Sequence, residues 1–127
     1  MVQLAPDPIV AVQFLCWRKC STCRNAKAWL LEHGLALEKE RDFFAEPFSG
    51  AELGDLANLA GGLGKLLSVQ SPSFRKLGRS SASLERSQME ELMLREPRLI
   101  RRPLLVWQRG LIIGFDKRAY QQMLESI

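Results

Sequence analysis

Two cysteines with two residues between them, Cys20 and Cys23, are the side chains in this sequence most able to do chemistry. They stand between the apolar run Ile9–Phe14, which predicts a strand, and Arg24–His33, which predicts a helix. The N-terminus of a helix offers unpaired backbone N–H groups and a partial positive charge, and both stabilise a thiolate. A thiolate is the nucleophilic form of cysteine, and a nearby second sulfur can form or release a disulfide with it. The spacing therefore predicts thiol chemistry with Cys20 as the nucleophile and Cys23 as the resolving thiol.

A third cysteine, Cys16, lies four residues before Cys20 and is either a spare resolving thiol or a small apolar residue that ends a strand. Three cysteines in one short stretch are a poor framework for structural disulfides. A structural zinc site usually needs four Cys or His ligands, and His33 is the one histidine that could complete the set. We therefore expect redox or nucleophilic use of the cysteines and no metal site, with inert buried thiols as the alternative.

The length and composition are those of one ordinary soluble domain. The chain has 127 residues, of which 46% are hydrophobic and 25% charged. No run approaches the roughly 18 apolar residues that a membrane helix needs. The first segment, Met1–Pro8, lacks the basic start and apolar stretch of a signal peptide. We expect a loose lead-in over residues 1–8, a single domain over residues 9–127, a cytoplasmic location and no contact with membrane.

The formal net charge is +4, and basic residues cluster in Phe74–Arg79 and Arg95–Arg102. This charge suits an anionic substrate or an acidic protein surface. It is too small to indicate nucleic acid by itself, and aromatic residues do not alternate with the basic ones as in a single-strand binder. We expect no direct binding of nucleic acid, and a solvated basic face is the alternative reading.

The first part of the chain predicts a βαβ unit. The helix after the cysteines can be capped by Ser21 or Thr22, and Gly34 is placed to end it. The run Leu35–Arg41 predicts a second strand. Two strands joined through a helix by short connections are expected to be parallel.

The middle of the chain, about residues 49–98, predicts a helical insert. Ser49 and Glu52 form one capping-box pattern before an apolar stripe, and Ser87 and Glu90 form another.

The end of the chain returns to strands. Leu104–Trp107 and Leu111–Ile113 flank a glycine-containing turn and predict a hairpin, and Asp116 can cap a last helix. The order βαβ, helices, ββα predicts an α/β thioredoxin-like fold with a mixed sheet and a helical insertion between its halves.

Four stretches carry a resemblance to a known family: Cys20–Leu30, Phe74–Leu77, Ile100–Val106 and Ile113–Phe115. On these stretches, nearly the whole chain after residue 8 resembles the arsenate reductase (ArsC) family of the glutaredoxin-coupled type, including its Spx and YffB-like relatives. The first and third stretches together are specific for the family, although neither is specific alone.

The resemblance implies a set of site residues. In these reductases the cysteine that matches Cys20 attacks arsenate. Backbone N–H groups of the following turn, here Ser21–Arg24, and an arginine that matches Arg102 hold the oxyanion. The planar guanidinium of arginine suits a tetrahedral oxyanion. The family also implies that Pro103 is cis and faces the thiol, whereas the residues alone show an X–Pro bond that is equally compatible with trans proline.

The chain departs from the reductases where they carry further arginines over the oxyanion. One of these positions falls in Ser68–Ser71, where this chain offers Gln70, and the other lies near Ile113–Phe115, which contains no arginine. Each charge-assisted hydrogen bond lost costs roughly 1.5–3 kcal/mol. Two losses slow arsenate chemistry by a factor of about 10² to 10⁴.

The resemblance implies three candidate functions. The first is an arsenate-reductase-like thiol oxidoreductase that acts on a small oxyanion or disulfide, holds no cofactor, and uses glutathione as co-substrate and glutaredoxin as partner. The second is a redox-switched regulator of the Spx type, since Cys23 completes the pattern that Spx proteins use when they bind the C-terminal domain of the RNA polymerase α subunit. The third is general thiol exchange of the YffB-like kind.

Overall fold

A computed structural model describes residues 12–108 and 110–126, which form two compact units. One unit comprises the residues up to Asp42 together with those from Arg102 onward, and it contains the sheet. The other spans Phe43–Arg101 and is built from helices and turns. The insert predicted over residues 49–98 falls within the second unit.

The sheet has four strands: β1 (Gln13–Cys16), β2 (Lys39–Asp42), β3 (Leu104–Trp107) and β4 (Gly110–Ile113). Their order is β2-β1-β3-β4, with β1 parallel to β2 and antiparallel to β3, and with β3 antiparallel to β4. The predicted mixed sheet and thioredoxin-like order are therefore confirmed. β1 ends later than predicted, and β2 both begins and ends later than predicted. The first three residues of the run Ile9–Phe14 lie outside the described residues.

The two central strands bury residues on both of their faces. In β3 both Leu104 and Leu105 are fully buried, although they point to opposite faces, and in β1 both Phe14 and Leu15 are buried. Burial on both faces is typical of central strands covered on each side. The edge strand β2 reads Lys-Glu-Arg-Asp, so charged residues mark the edge of the sheet.

Two helices belong to the sheet unit: α1 (Ser21–Glu32) and α5 (Lys117–Ser126). Asp116 caps α5, because its Oδ1 accepts the N–H of Ala119 at 3.0 Å, as predicted. Gly34, at φ +85°, follows the end of α1 and lets the N–H of Leu35 reach the carbonyl of Leu30 at 3.0 Å.

The hydrophobic core of the sheet unit joins the strands to both helices. Tyr120 of α5 is fully buried, and its hydroxyl donates to the carbonyl of Gly114 at 3.1 Å. The other buried members of this core are Val12, Phe14, Ala26, Leu30, Leu35, Leu105 and Met123. Because α1 buries Ala26 and Leu30 here, its first turn is fixed at the carboxyl end of β1.

The helical unit contains α2 (Gly50–Ala60), the short α3 (Pro72–Arg75) and α4 (Arg86–Arg95). Short 3₁₀ turns connect them over Leu63–Leu66, Ser81–Ser83 and Pro97–Leu99.

The two helix starts predicted in this unit have different outcomes. The capping box of Ser49 and Glu52 is confirmed, with Ser49 Oγ accepting the N–H of Glu52 at 3.1 Å. The box predicted for Ser87 and Glu90 is wrong. The box that forms uses Glu85 at the N-cap and Gln88 at the third helical position.

Among the residues described, no helix has both the length and the apolar character needed to cross a bilayer.

Candidate functional site

Cys20 is the N-cap residue of α1, with an extended backbone at φ −85° and ψ 121°. The expectation that Ser21 or Thr22 caps this helix is wrong. Both are exposed and are the first two residues inside it, and α1 begins without a side-chain cap. The carbonyl of Trp17 accepts the N–H of Cys20 at 2.9 Å, which turns the chain from β1 into the helix. The sulfur of Cys20 therefore stands where the unpaired N–H groups of the first turn point.

The half-buried Cys20 has a pKa below that of an ordinary thiol. Partial burial raises its pKa, but four neighbouring groups lower it and prevail: the backbone N–H and the thiol of Cys23, the N–H of Thr22 and the charge of Arg102. Donors aimed at the sulfur favour the thiolate because they interact with its negative charge. The arrangement therefore favours the thiolate of Cys20 more than an ordinary cysteine environment does.

Cys23 has the opposite character. Its side chain is 2% exposed, and its Sγ accepts the backbone N–H of Trp17 at 3.4 Å. Its interaction with the thiol of Cys16 raises its pKa far above the ordinary range, and burial raises it further. Cys23 therefore keeps its proton and serves as a donor to neighbouring sulfurs.

Cys16 is the last residue of β1 and lies directly opposite Asp42 in the parallel pairing with β2. The thiol of Cys23 faces it and lowers its pKa, although partial burial and the carboxylates of Asp42 and Glu40 oppose that shift. All three cysteines are free thiols. Sequence reasoning left the role of Cys16 open, and the structure brings it into one cluster with Cys20 and Cys23.

Arg102 and Pro103 lie just before β3. The peptide bond between them is cis, as the family resemblance implied. Pro103 is buried, and its carbonyl accepts the N–H of Gly114 at 2.8 Å, which fixes this segment against the end of β4. The half-buried Arg102 extends over the ring of Trp17, with 5.4 Å between its Cζ and the ring centroid.

Trp17 restrains Arg102 through this contact, since an aromatic face attracts a cation and limits its orientation. No local sequence signal could reveal this contact, because the two residues are far apart in the chain.

The remaining residues expected to bind substrate occupy different places. The exposed Arg24 donates from Nη1 to the carbonyl of Arg18 at 3.1 Å, so its guanidinium is engaged near the start of the helix. Gln70 belongs to the helical unit and is exposed, and its carbonyl accepts Nη2 of Arg75 at 3.0 Å. Ser21 and Thr22 contribute N–H groups of the first turn.

A cavity of about 290 Å³ lies beside the cysteine cluster, and sequence analysis did not foresee it. Cys16 and Cys23 contribute to its wall, whereas Cys20 is not among the described residues that line it. The rest of its wall consists of two aromatic and five charged side chains, Phe14, Trp17, Arg18, Arg24, Lys27, Glu40 and Asp42. Lys27 forms an ion pair with Glu40 at 2.8 Å, which joins α1 to β2 at this wall.

In the described part of the chain, no group of three or more His, Cys, Asp or Glu side chains is arranged to hold an ion. His33 lies at the far end of α1, stacked on Trp29 with 3.7 Å between ring centroids, and its Nδ1 lies 2.7 Å from the carbonyl of Trp29.

Comparison with known proteins shows a family and related sequences. A family model described as the ArsC family matches residues 16–123. The global transcriptional regulator Spx of Listeria innocua is 34% identical over 106 residues, which are 83% of this chain and 80% of that protein.

Solved structures share the fold. A YffB protein has a TM-score of 0.77 and 27% identity, covering 90% of this chain and 99% of its own. An arsenate reductase from Vibrio cholerae has a TM-score of 0.74 and 23% identity, covering 91% of this chain and 97% of its own, and this likeness shows the fold alone.

Proposed function

The chain belongs to the ArsC family, and we propose that it is a thiol oxidoreductase of that family, with Cys20 as the nucleophile and Cys23 as the resolving thiol. The substrate is a small oxyanion such as arsenate, or a small disulfide. The N–H groups of Ser21–Arg24 and the guanidinium of Arg102 hold its negative charge.

The observation that carries this proposal is that the pKa values of two neighbouring thiols are shifted in opposite directions. Cys20 has a lowered pKa at the N-cap of α1, and Cys23 beside it is buried with a raised pKa. A thiolate next to a protonated thiol can attack first and be resolved afterwards. Two inert buried thiols need no such difference.

With arsenate, the Cys20 thiolate displaces a hydroxyl group and forms a sulfur–arsenic bond. A second thiol, from glutathione or Cys23, then attacks the sulfur of Cys20. The sulfur–arsenic bond breaks and its electron pair stays on arsenic, which leaves as arsenite. The disulfide that remains on the protein is reduced by glutathione or glutaredoxin.

With a disulfide substrate, Cys20 forms a mixed disulfide and releases one thiolate. Cys23 then attacks the sulfur of Cys20, giving up its proton and releasing the second substrate thiolate. Gln70 stands in the segment where the family resemblance implies an arginine in the reductases, and this departure favours a disulfide over arsenate as the substrate.

Turnover assays with two substrates test the proposal. Arsenite release and reduction of a glutathione mixed disulfide are measured with glutathione and glutaredoxin present, for the original protein and for Cys20→Ser. We expect turnover of at least one substrate and its loss in the variant. Equal rates in both proteins, or no turnover above the buffer rate for either substrate, would reject the proposed oxidoreductase activity.

A redox-switched regulator is the second candidate, and one specific observation favours it. The Spx protein at 34% identity is named a global transcriptional regulator, and the free pair Cys20 and Cys23 could act as its switch. The proposed partner is the C-terminal domain of the RNA polymerase α subunit. A pull-down with that domain, using this protein in its reduced and in its oxidised state, tests the regulatory function. Absence of binding in both states excludes it.

Both functions need free thiols and a partner of suitable charge. We therefore propose a location in the cytoplasm, where protein disulfides are transient. The formal net charge of +4 suits an anionic substrate or an acidic partner surface, and neither function requires direct contact with nucleic acid.

A further inference from the structure

The sulfur of Cys23 is held by the backbone of the residue that follows Cys16. The N–H of Trp17, the residue that follows Cys16, donates to Sγ of Cys23 at 3.4 Å. Cys16 ends β1 and Cys23 lies in the first turn of α1, so the strand-to-helix connection brings their side chains together. Their proximity is thus set by the fold of the sheet unit.

Cys23 also faces Cys20, so its sulfur is shared between two partners. A thiol carries one S–H and can donate to one of the two at a time. The same arrangement suits disulfide exchange, in which a thiolate attacks one sulfur of a disulfide and the other sulfur leaves. With Cys23 as the central sulfur, Cys16 can attack and Cys20 can leave.

We propose that Cys16 is a third redox-active thiol, which takes the disulfide over from Cys20 through the shared sulfur of Cys23. This inference rests on the proposed function, because it starts from a disulfide between Cys20 and Cys23. The Cys16 thiolate attacks Sγ of Cys23. A bond between Cys16 and Cys23 forms, the bond between Cys20 and Cys23 breaks, and Cys20 leaves as a thiolate.

The exchange balances without a further oxidant. Cys16 gives its proton to water before the attack, and no electrons leave the protein in this step. Cys20 is a good leaving group because the turn that follows it stabilises its thiolate, and thiols of low pKa leave faster. The nucleophile is thereby restored while the protein remains oxidised.

The cavity gives a small external thiol access to a disulfide between Cys16 and Cys23. Cys16 and Cys23 both line it, and Cys20 is not among its described lining residues. A disulfide between Cys16 and Cys23 therefore opens onto a space of about 290 Å³ with cationic and anionic side chains in its wall. A small external thiol can reduce it there while Cys20 is free to react again.

Disulfide mapping after oxidation with glutathione disulfide tests the proposal. Free thiols are blocked with N-ethylmaleimide, and the protein is digested with trypsin, which cleaves after Arg18, Lys19 and Arg24. Cys16 then lies on the peptide that ends at Arg18, whereas Cys20 and Cys23 share the peptide Cys20–Arg24. A disulfide that includes Cys16 links two peptides, and one between Cys20 and Cys23 stays within one.

We expect the linked pair of peptides as the main oxidised product, with N-ethylmaleimide on Cys20. A disulfide confined to Cys20–Arg24 together with blocked Cys16 would overturn the relay, as would a linked pair that carries the label on Cys23. The Cys16→Ser variant separates this failure from that of the proposed function. This variant should still form the disulfide between Cys20 and Cys23. If it does not form that disulfide, both the proposed function and the relay are wrong.

Discussion

The guanidinium of Arg102 lies over the ring of Trp17, with 5.4 Å between Cζ and the ring centroid. Trp17 precedes the helix that Cys20 begins, and Arg102 precedes the cis proline at the start of β3. The contact therefore ties the two segments of the sheet unit that carry the site. It limits the orientation of Arg102, whose charge lowers the pKa of Cys20.

Replacing Arg102 with methionine is expected to raise the pKa of Cys20 and to weaken oxyanion binding. Loss of a charge-assisted hydrogen bond costs about 1.5–3 kcal/mol, which corresponds to a fall in kcat/KM of about 10- to 100-fold. The exposed neighbour Arg101, whose N–H donates to the carbonyl of Leu66, provides the matched control. Steady-state kinetics of Arg102→Met and Arg101→Met should differ by that factor, and equal kinetics contradict the role given to Arg102.

Replacing Cys23 with serine is expected to stop the resolving step while leaving the attack in place. Cys20 keeps the N–H groups of the first turn, so it still reacts with glutathione disulfide. The mixed disulfide then persists, because no neighbouring thiol at position 23 displaces glutathione. Intact mass spectrometry should show one glutathione adduct on Cys23→Ser and little on the original protein. Equal adduct levels on the two proteins would mean that Cys23 does not resolve.

Leu30 and Leu31 form a matched pair for stability. Leu30 is 0% exposed in the core of the sheet unit, and Leu31 is 51% exposed. We expect Leu30→Ala to lower the free energy of unfolding by about 2–5 kcal/mol and Leu31→Ala to change it by less than about 0.5 kcal/mol. Urea denaturation of both variants measures the difference, and similar losses would contradict the described packing of α1.

Substitutions of two serines test which residues cap α2 and α4. Ser49 caps α2 through its Oγ, whereas Ser87 lies inside α4 behind the box of Glu85 and Gln88. Ser49→Ala should cost about 0.5–2 kcal/mol in free energy of unfolding, and Ser87→Ala should be close to neutral. A larger loss for Ser87→Ala than for Ser49→Ala in chemical denaturation would restore the capping box that the sequence predicts.

The order of helices and strands could be predicted because each has a simple local cause. The run Arg24–His33 predicts the helix α1, which buries Ala26 and Leu30, and Gly34 marks its end. Helix starts were less predictable. Cysteine and glutamate are not common N-cap residues, so the sequence predicts Ser21 or Thr22 instead of Cys20 for α1 and Ser87 instead of Glu85 for α4.

The cysteine cluster could be predicted only in part. The spacing of Cys20 and Cys23 indicates a reactive pair by itself. The position of Cys16 beside Cys23 depends on the residue at which β1 ends. The cavity depends on the parallel pairing of β1 with β2, which sets Cys16 opposite Asp42. Such contacts arise from strand register across a connection of many residues, which no local pattern specifies.

The pH dependence of Cys20 alkylation tests the central claim most directly. Only the thiolate reacts with iodoacetamide, so the rate rises with pH through the pKa of the thiol and then becomes constant. Because the pKa of Cys20 is lowered and that of Cys23 is raised, label on the peptide Cys20–Arg24 should fall on Cys20 alone. We predict a half-maximal rate at a pH below the free-thiol value of about 8.5. A midpoint at or above that value, or preferential labelling of Cys23, would contradict a nucleophile at the N-cap of α1.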